Sequence, residues 1–452
     1  MDNAAKPGQA RQGADIEQYL SAFRTFEASL NGGSAAPIHA VRRSAIAHFA
    51  ATGFPTTRDE EWRFTNVAPI ARAPFTAGAP GTVTAADVAR STFPGLEANR
   101  LVFVDGVFAE EFSTVRAVPP GGAVGSLARA LKSGDAAAAR HTAKHARFDE
   151  SAFTALNTSF LADGAFVHIP DGVAWDDPIY VLYLATGRAA PFVAHPRNLF
   201  VAGRNSRCFI VERYAALGEN VYFTNAVTEV ALAEGAIVEH DKVQQESPNS
   251  FHVGSAHVSM AASSNYTSNS FAMGGSIVRN NITSVMQGQG VECTLNGLSL
   301  STGKQLIDNH TTIDHATAHC NSHELYKSIL DGSSRGVFNG KIFVRKDAQK
   351  TDAKQTNKTL LLSDLATIDT KPQLEIFADD VKCTHGATVG YLDAEAVFYL
   401  RSRGIGIELA RDILTYAFAS DVTGRVKIEP VRAALDKLIL ERLHEGRQLE
   451  GI

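Results

Sequence analysis

FADDVKCTHGATVGYLDAEAVFYLRSRGI, from Phe377 to Ile405, carries an apolar strand pattern that turns abruptly into an amphipathic helix. In a strand, side chains alternate between two faces. Val381, Cys383, His385, Ala387 and Val389 then share one face, and Lys382, Thr384, Gly386, Thr388 and Gly390 share the other. The first face is apolar except for a thiol and an imidazole, roughly 6–7 Å apart along the strand. Residue types alone allow a core cysteine beside a hydrogen-bonded histidine. The functional reading is a metal or sulfur site at a surface that a partner completes. Beyond the strand, Asp393 fits a helix N-cap, and Gly404 closes the helix with Arg401 and Arg403 in its last turn.

Upstream of this stretch, from about Ala165, short β-rich runs such as FVHI, IYVLYL, CFIVERY and KIFV alternate with Gly, Asn, Ser and Asp turns. No proline lies between Pro248 and Pro372, as a continuous ladder of paired strands requires. A sandwich, a barrel and a stacked solenoid all fit, since no sharp repeat period emerges. Asn339-Gly340 argues locally for a hairpin. The amino-terminal part reads as helical: a disordered tail over residues 1–13, then amphipathic helices near Asp15–Leu30 and Ile38–Ala51. Ile16, Tyr19, Leu20, Phe23 and Phe26 form the stripe of the first. Asp105-Gly106 marks a hairpin. After Leu392 the pattern is helical again. One helix carries Ile407, Ala410, Ile413, Leu414, Ala417 and Phe418 on a face, and another starts at Pro430 with Val431, Leu435, Leu438, Ile439 and Leu443 in register. The division expected is 1–164, 165–391 and 392–452.

A chain of 452 residues exceeds one ordinary core, and 44% hydrophobic with 20% charged residues is a globular composition. A formal charge of −5 argues against nucleic acid as main partner. The segment MDNAAKPGQARQGAD lacks an apolar core of signal-peptide length, and no run of 18 apolar residues occurs, so a cytoplasmic protein without a membrane span is expected. Cys208, Cys293, Cys320 and Cys383 lie far apart, with no C-x-x-C pair. That excludes a local disulfide framework and a four-cysteine cluster held by this chain alone.

DNHTTIDHATAHCNSHE, Asp308 to Glu324, is the richest histidine run. His315, His319 and His323 recur every four residues, which spans roughly 13 Å in a strand. A zinc ion holds its ligands about 2 Å away, so only a helix would bring neighbours onto one metal. The Thr-Thr-Ile lead-in favours strand. In a solenoid these side chains instead meet adjacent coils, which keeps His315 and Cys320 as secondary candidates. Lys346, Lys350, Lys354 and Lys358 fit a solvated face, with Asp347 and Asp352 interleaved. The glycines around Gly303-Lys304-Gln305 and Gly404-Ile405-Gly406 complete neither a phosphate loop nor a dinucleotide fingerprint.

KCTHGATVG, the following FYLRSRGI and the preceding AQKTDAKQTNKTLLLSDLATIDTKPQLEI together resemble the SufB/SufD family of iron–sulfur cluster assembly proteins. GFPTTRDEEWRFTN, Gly53 to Asn66, resembles the same family's amino-terminal E-x-W signature, with Trp62 read as a packing residue. The resemblance implies a mainly β fold, a right-handed parallel β-helix core flanked by amino- and carboxy-terminal helical domains. It implies a scaffold rather than an enzyme, paired with the paralogue SufB and docking the ATPase SufC on its carboxy-terminal helices. It places a metal-ligating histidine at His385 and the neighbouring motif cysteine at Cys383. Two features match the SufD side: Gly386 stands where SufB carries an acidic residue, and no cysteine lies between Cys320 and Cys383. A partner thiolate then completes the site. Docking residues expected on the helices are Phe398, Tyr399, Arg401, Arg403, Ile407, Leu409, Ile413 and Tyr416. No cofactor is expected to be tightly bound by the chain alone. Iron or a nascent cluster passes transiently through the partner interface. A flavin on the complex and a homodimer of the isolated chain are left open. A β-helix polysaccharide lyase or hydrolase and a stand-alone metal-binding protein are the alternatives.

Overall fold

A computed structural model describes residues 7–30, 36–76, 80–116, 118–188 and 190–444. From Arg197 to Gly390 successive strands alternate between two sheets, and from Tyr222 onward each pairs in parallel with the strand two before it. This is a parallel β-helix. In one sheet the aligned positions Ile237, Asn265, Glu292, Asn321, Asp352 and Lys382 are 28, 27, 29, 31 and 30 residues apart. The coils thus differ in length at their turns, which blurs any repeat in the sequence. What recurs is a conformation: Asn205, Gly235, Ser263, Gly290, His319 and Lys350 each take φ between 51° and 70° at the same corner of successive coils. The amide N–H groups of Asn205, Gly235, Ser263, His319 and Lys350 reach the next coil, as from His319 to the Gln349 carbonyl at 2.9 Å and from Lys350 to that of Asp380 at 2.7 Å.

Between the sheets runs a mixed lumen. Val238, Tyr266, Cys293 and Leu295 from one sheet meet Val258, Met260, Met286 and Ile313 from the other. Larger inward side chains need room opposite or beside them. A Cβ on Gly297 would sit 2.3 Å from the Tyr326 ring, and one on Gly340 would sit 2.2 Å from Nε2 of Gln355. Gly340 therefore lies inside a continuous strand, Arg335–Val344, and the hairpin suggested by Asn339-Gly340 does not form. Glycine there serves close approach of another side chain rather than a turn.

The two outer faces are covered by different ends of the chain. The amino-terminal helices Pro7–Ser29 and Pro37–Thr52 bring Tyr19, Phe23, Ile46 and Phe49 against Phe223, Phe251 and Val253. The first begins at Pro7, which corrects the expected tail over 1–13. Proline is tolerated in a first turn, and Gln9, Ala10, Arg11 and Gln12 then favour helix. Residues 1–6 lie outside the described residues. Trp62 packs on Phe153, with ring centroids 5.1 Å apart, and carries the Arg279 guanidinium 4.2 Å from its ring. Arg279 pairs at 2.6 Å with buried Asp308, to which Thr65 donates at 2.5 Å. The E-x-W-R-F-T segment is thus a clamp that fastens the amino-terminal helices to the solenoid. Asp105-Gly106 forms the expected hairpin, both residues with positive φ.

On the opposite face, Val431, Leu435 and Ile439 of the helix Glu429–His444 are buried with Val243, Phe271, Leu298 and Leu325. The helix Ile407–Thr423 turns a different side to the sheet from the one its periodicity suggests. Ala410, Asp412, Thr415, Ala419 and Val422 are buried, whereas Ile407 and Ile413 are exposed. Small residues permit close approach. Lys327 anchors the helix through the Phe418 carbonyl and the Asp421 carboxylate, both at 2.9 Å. No described helix is long and apolar enough to cross a membrane.

Candidate functional site

Lys382–Gly390 is the last strand of its sheet, paired on one side with Asp352–Leu361. Its register sets Cys383 beside Ala353, His385 beside Gln355, Ala387 beside Asn357 and Val389 beside Thr359. All four partners face the lumen and are buried. The face shared by Cys383 and His385 is therefore the lumen face, but the stack ends there. His385 is exposed, Cys383 half-buried and Val389 46% exposed.

Cys383 packs against a buried cluster of Ile342, Val344, Ala348, Ala353 and Ala378. Burial and the Asp352 carboxylate push its thiol upward, so in the isolated chain it stays protonated at neutral pH. Behind His385 on the same rung lie Gln355 and then Glu324. The Gln355 amide donates to Glu324 Oε2 at 2.7 Å, and burial lifts the Glu324 carboxyl to about 7. The strand Thr367–Ile376 forms the matching end of the other sheet. Phe377 beside it is 59% exposed. Pro372, which lacks an N–H, sits on this terminal strand, where a missing ladder donor is tolerated.

The secondary candidates lie elsewhere. The histidine run is strand, corner and strand. His315 ends Leu306–His315, His319 occupies the recurring corner with φ 59°, and His323 starts outward on Asn321–Leu330. The three do not share a face. His315 is fully buried, bonded through Nε2 to Ser322 at 2.9 Å, and burial holds it down near 4, so its ring is neutral. Cys320 donates to the Gly288 carbonyl at 3.3 Å. Ser322 stands two strands behind Cys383, roughly 9–10 Å away, so the two candidate pairs do not meet. Among the described residues no three His, Cys, Asp or Glu groups are placed to hold one metal. The lysines form no single row. Lys354 and Lys358 point outward from Asp352–Leu361, while Lys346 and Lys350 lie in the preceding turn.

Downstream, Asp393 caps the helix Ala394–Ser402 by accepting from the Glu395 amide at 2.9 Å, and Gly404 ends it with φ 86°. This helix buries no residue at all. Phe398 is 72% exposed and Tyr399 58%, and Ile407, Leu409 and Ile413 continue the apolar surface onto the next helix. Arg401 and Arg403 are exposed beside them, with the Arg403 guanidinium over the Tyr399 ring. Tyr416 differs, being half-buried toward the last helix and facing Asp436.

Residues 183–418 match the family described as "SUF system FeS cluster assembly, SufBD core domain", and residues 14–181 match the "SufBD protein N-terminal region". The chain belongs to the SufBD family. Its relatives include an iron–sulfur cluster assembly SufBD family protein of Synechocystis, 31% identical over 94% of this chain and 95% of the relative. The iron–sulfur cluster assembly protein SufD of Escherichia coli is 32% identical over 87% of this chain and 90% of its own length. The SufD of Bacillus subtilis is 28% identical over 65% and 67% respectively. Iron–sulfur cluster assembly is therefore the process to which this SufBD protein belongs. Sequence reasoning missed Glu324 and Gln355 as companions of His385, because their alignment depends on coil lengths that only the register reveals.

Proposed function

We propose that this SufBD protein is a non-catalytic scaffold subunit on the SufD side of the SUF assembly complex. It pairs with SufB through the open end of its β-helix and seats the ATPase SufC on the helices Ala394–Ser402 and Ile407–Thr423. His385 is offered at the paired end as an iron ligand, with Cys383 beside it. The observation that carries this reading is that a lumen-facing histidine becomes exposed only where the stack stops, on one of two terminal strands whose outer edges pair with no described strand. Such edges are strong templates for pairing with another chain. A neutral imidazole is a competent iron ligand, and a thiolate from the partner completes a mixed site. Iron and the nascent cluster are cargo, and the chain alone holds no cofactor tightly. The exposed Phe398, Tyr399, Ile407, Leu409 and Ile413, flanked by Arg401 and Arg403, supply an apolar center with a charged rim for the ATPase. Work in the cytoplasm, without nucleic acid or membrane, fits this role.

The test is copurification with SufB and SufC, wild type against His385→Ala, followed by anaerobic cluster reconstitution read by absorbance. Both forms should yield the complex, and only the wild type should accumulate clusters. Equal clusters in both would move the site away from His385.

A further inference from the structure

We propose that Gln355 is the positioning residue for His385: its side-chain carbonyl accepts the imidazole N–H when the open end is covered, turning the other ring nitrogen outward to the metal. The inference rests on His385 being an iron ligand, as read above. Three independent features of the lumen support it.

Register comes first. Gln355 and His385 are direct neighbours on parallel strands, on the same face, with backbones about 4.8 Å apart. The state of the amide comes second. Gln355 is 2% exposed, and its Nε2 is committed to Glu324 at 2.7 Å. That bond aims Oε1 away from the carboxylate, and Oε1 is buried without a partner. A buried carbonyl oxygen left unpaired is costly, so this acceptor is poised for a donor. Space comes third. Gly340 on the facing sheet leaves the room the carboxamide occupies, and any Cβ there would collide with it.

Candidate donors for that oxygen stand on its own strand and on the two terminal strands. On its own strand Asn357 already donates to the Tyr326 carbonyl at 3.3 Å. On the terminal strand Ala387 offers nothing and Cys383 only a weak S–H. The imidazole of His385 is next to Gln355 in register, and the hydroxyl of Thr370, on the terminal strand of the facing sheet, is also buried and unpartnered. A metal-bound histidine characteristically donates its second ring N–H to a carbonyl or carboxylate, which fixes ring and tautomer. Glu324, Gln355 and His385 then form a line from the sealed lumen to the open end, with the carboxyl holding the amide and the amide holding the ring.

The test uses the full chain assembled with SufB and SufC and reads equilibrium Zn2+ binding by calorimetry, so that no cluster chemistry is needed. His385→Ala defines the component of binding that depends on this histidine. Gln355→Met keeps the shape but removes the acceptor, and should weaken that component by about 10- to 100-fold with its stoichiometry unchanged. Gln355→Glu keeps an acceptor and should stay within about threefold of wild type, and Thr370→Val should change nothing. A loss of folding would lower stoichiometry without moving affinity. If Met at 355 lowers the yield of complex, Gln355→Asn, too short to reach, makes the same comparison. Wild-type affinity in Gln355→Met and Gln355→Asn, with His385→Ala still defective, overturns the positioning role and leaves the ligand assignment standing. Loss of no component in His385→Ala overturns the ligand assignment itself. An effect of Thr370→Val as large as that of Gln355→Met assigns the acceptor to the wrong donor.

Discussion

The two ends of the β-helix are built differently. At the amino-terminal end both sheets finish in antiparallel strands, Val107–Phe108 against Asn99–Val104 and Ala123–Ser126 against Ala165–Ile169. These short reversals close the stack, and the helix Leu127–Ser133 packs beside the second of them. At the other end both sheets stop in long parallel strands, Thr367–Ile376 and Lys382–Gly390, with no later strand in the order among the described residues. Equivalent rung positions change character over one coil. Gln355 is 2% exposed and Thr359 4%, whereas His385 is exposed and Val389 46%. A ligand-type side chain on the lumen face is structural while another coil covers it, and it becomes available chemistry where the coils end.

The largest contrast should come from charge. Arg197 and Glu229, both fully buried and 2.8 Å apart, lie near the closed end, where Glu229 also accepts from the backbone of Ala143, His145 and Ala146. Arg197→Met leaves that carboxylate uncompensated and should cost about 3–5 kcal/mol in denaturant unfolding. His385→Ala at the open end should stay within about 0.5 kcal/mol. Comparable losses would mean that the open end is as tightly integrated as the closed one.

A sharper comparison uses one substitution at two depths. Gly297→Ala drives a methyl into the Tyr326 ring and should destabilise by about 1–3 kcal/mol, read as a lowered melting temperature. Gly386→Ala, with nothing within 4 Å of its Cβ, should be close to neutral. A large effect at Gly386 would show that something already packs on the terminal strand.

A third comparison reads a pH slope from inside the lumen. Glu324, near 7 when folded and near its ordinary 4.5 when unfolded, holds a proton in the folded chain that the unfolded chain has released. Stability should therefore fall as pH rises from about 4.5 to 7, by on the order of 1 kcal/mol per pH unit from this group, and level off above. Glu324→Gln should remove that part of the slope in urea midpoints taken across this range. An unchanged slope would mean that Glu324 is ionised and solvated.

Much of this architecture was legible in the sequence, and the exceptions share a cause. Periodicity found the helices, the Tyr19–Phe23 stripe, the Asp393 cap and the Asp105-Gly106 hairpin, because each depends on neighbours within a few residues. Alternation also put Cys383 and His385 on one face. Whether that face was buried depended on how many coils followed, which no local pattern encodes. The same blindness made Asn339-Gly340 look like a turn, when Gly340 serves Gln355 from the opposite sheet. It left the role of His319 in the histidine run unread, when it fills a corner that glycine, asparagine, serine and lysine fill in other coils. On Ile407–Thr423 large apolar residues drew the reading to one face, and of that face Ala410 is buried as expected, while Thr415, Ala419 and Val422 from outside it make the rest of the contact.

The most direct test of the open end is amide hydrogen exchange of the chain alone and in complex with SufB. Protection gained on pairing should concentrate in Thr367–Ile376 and Lys382–Gly390, with Asn99–Val104 and its hairpin unchanged. Protection confined to the amino-terminal end, with the two terminal strands exchanging as in the free chain, would contradict the account.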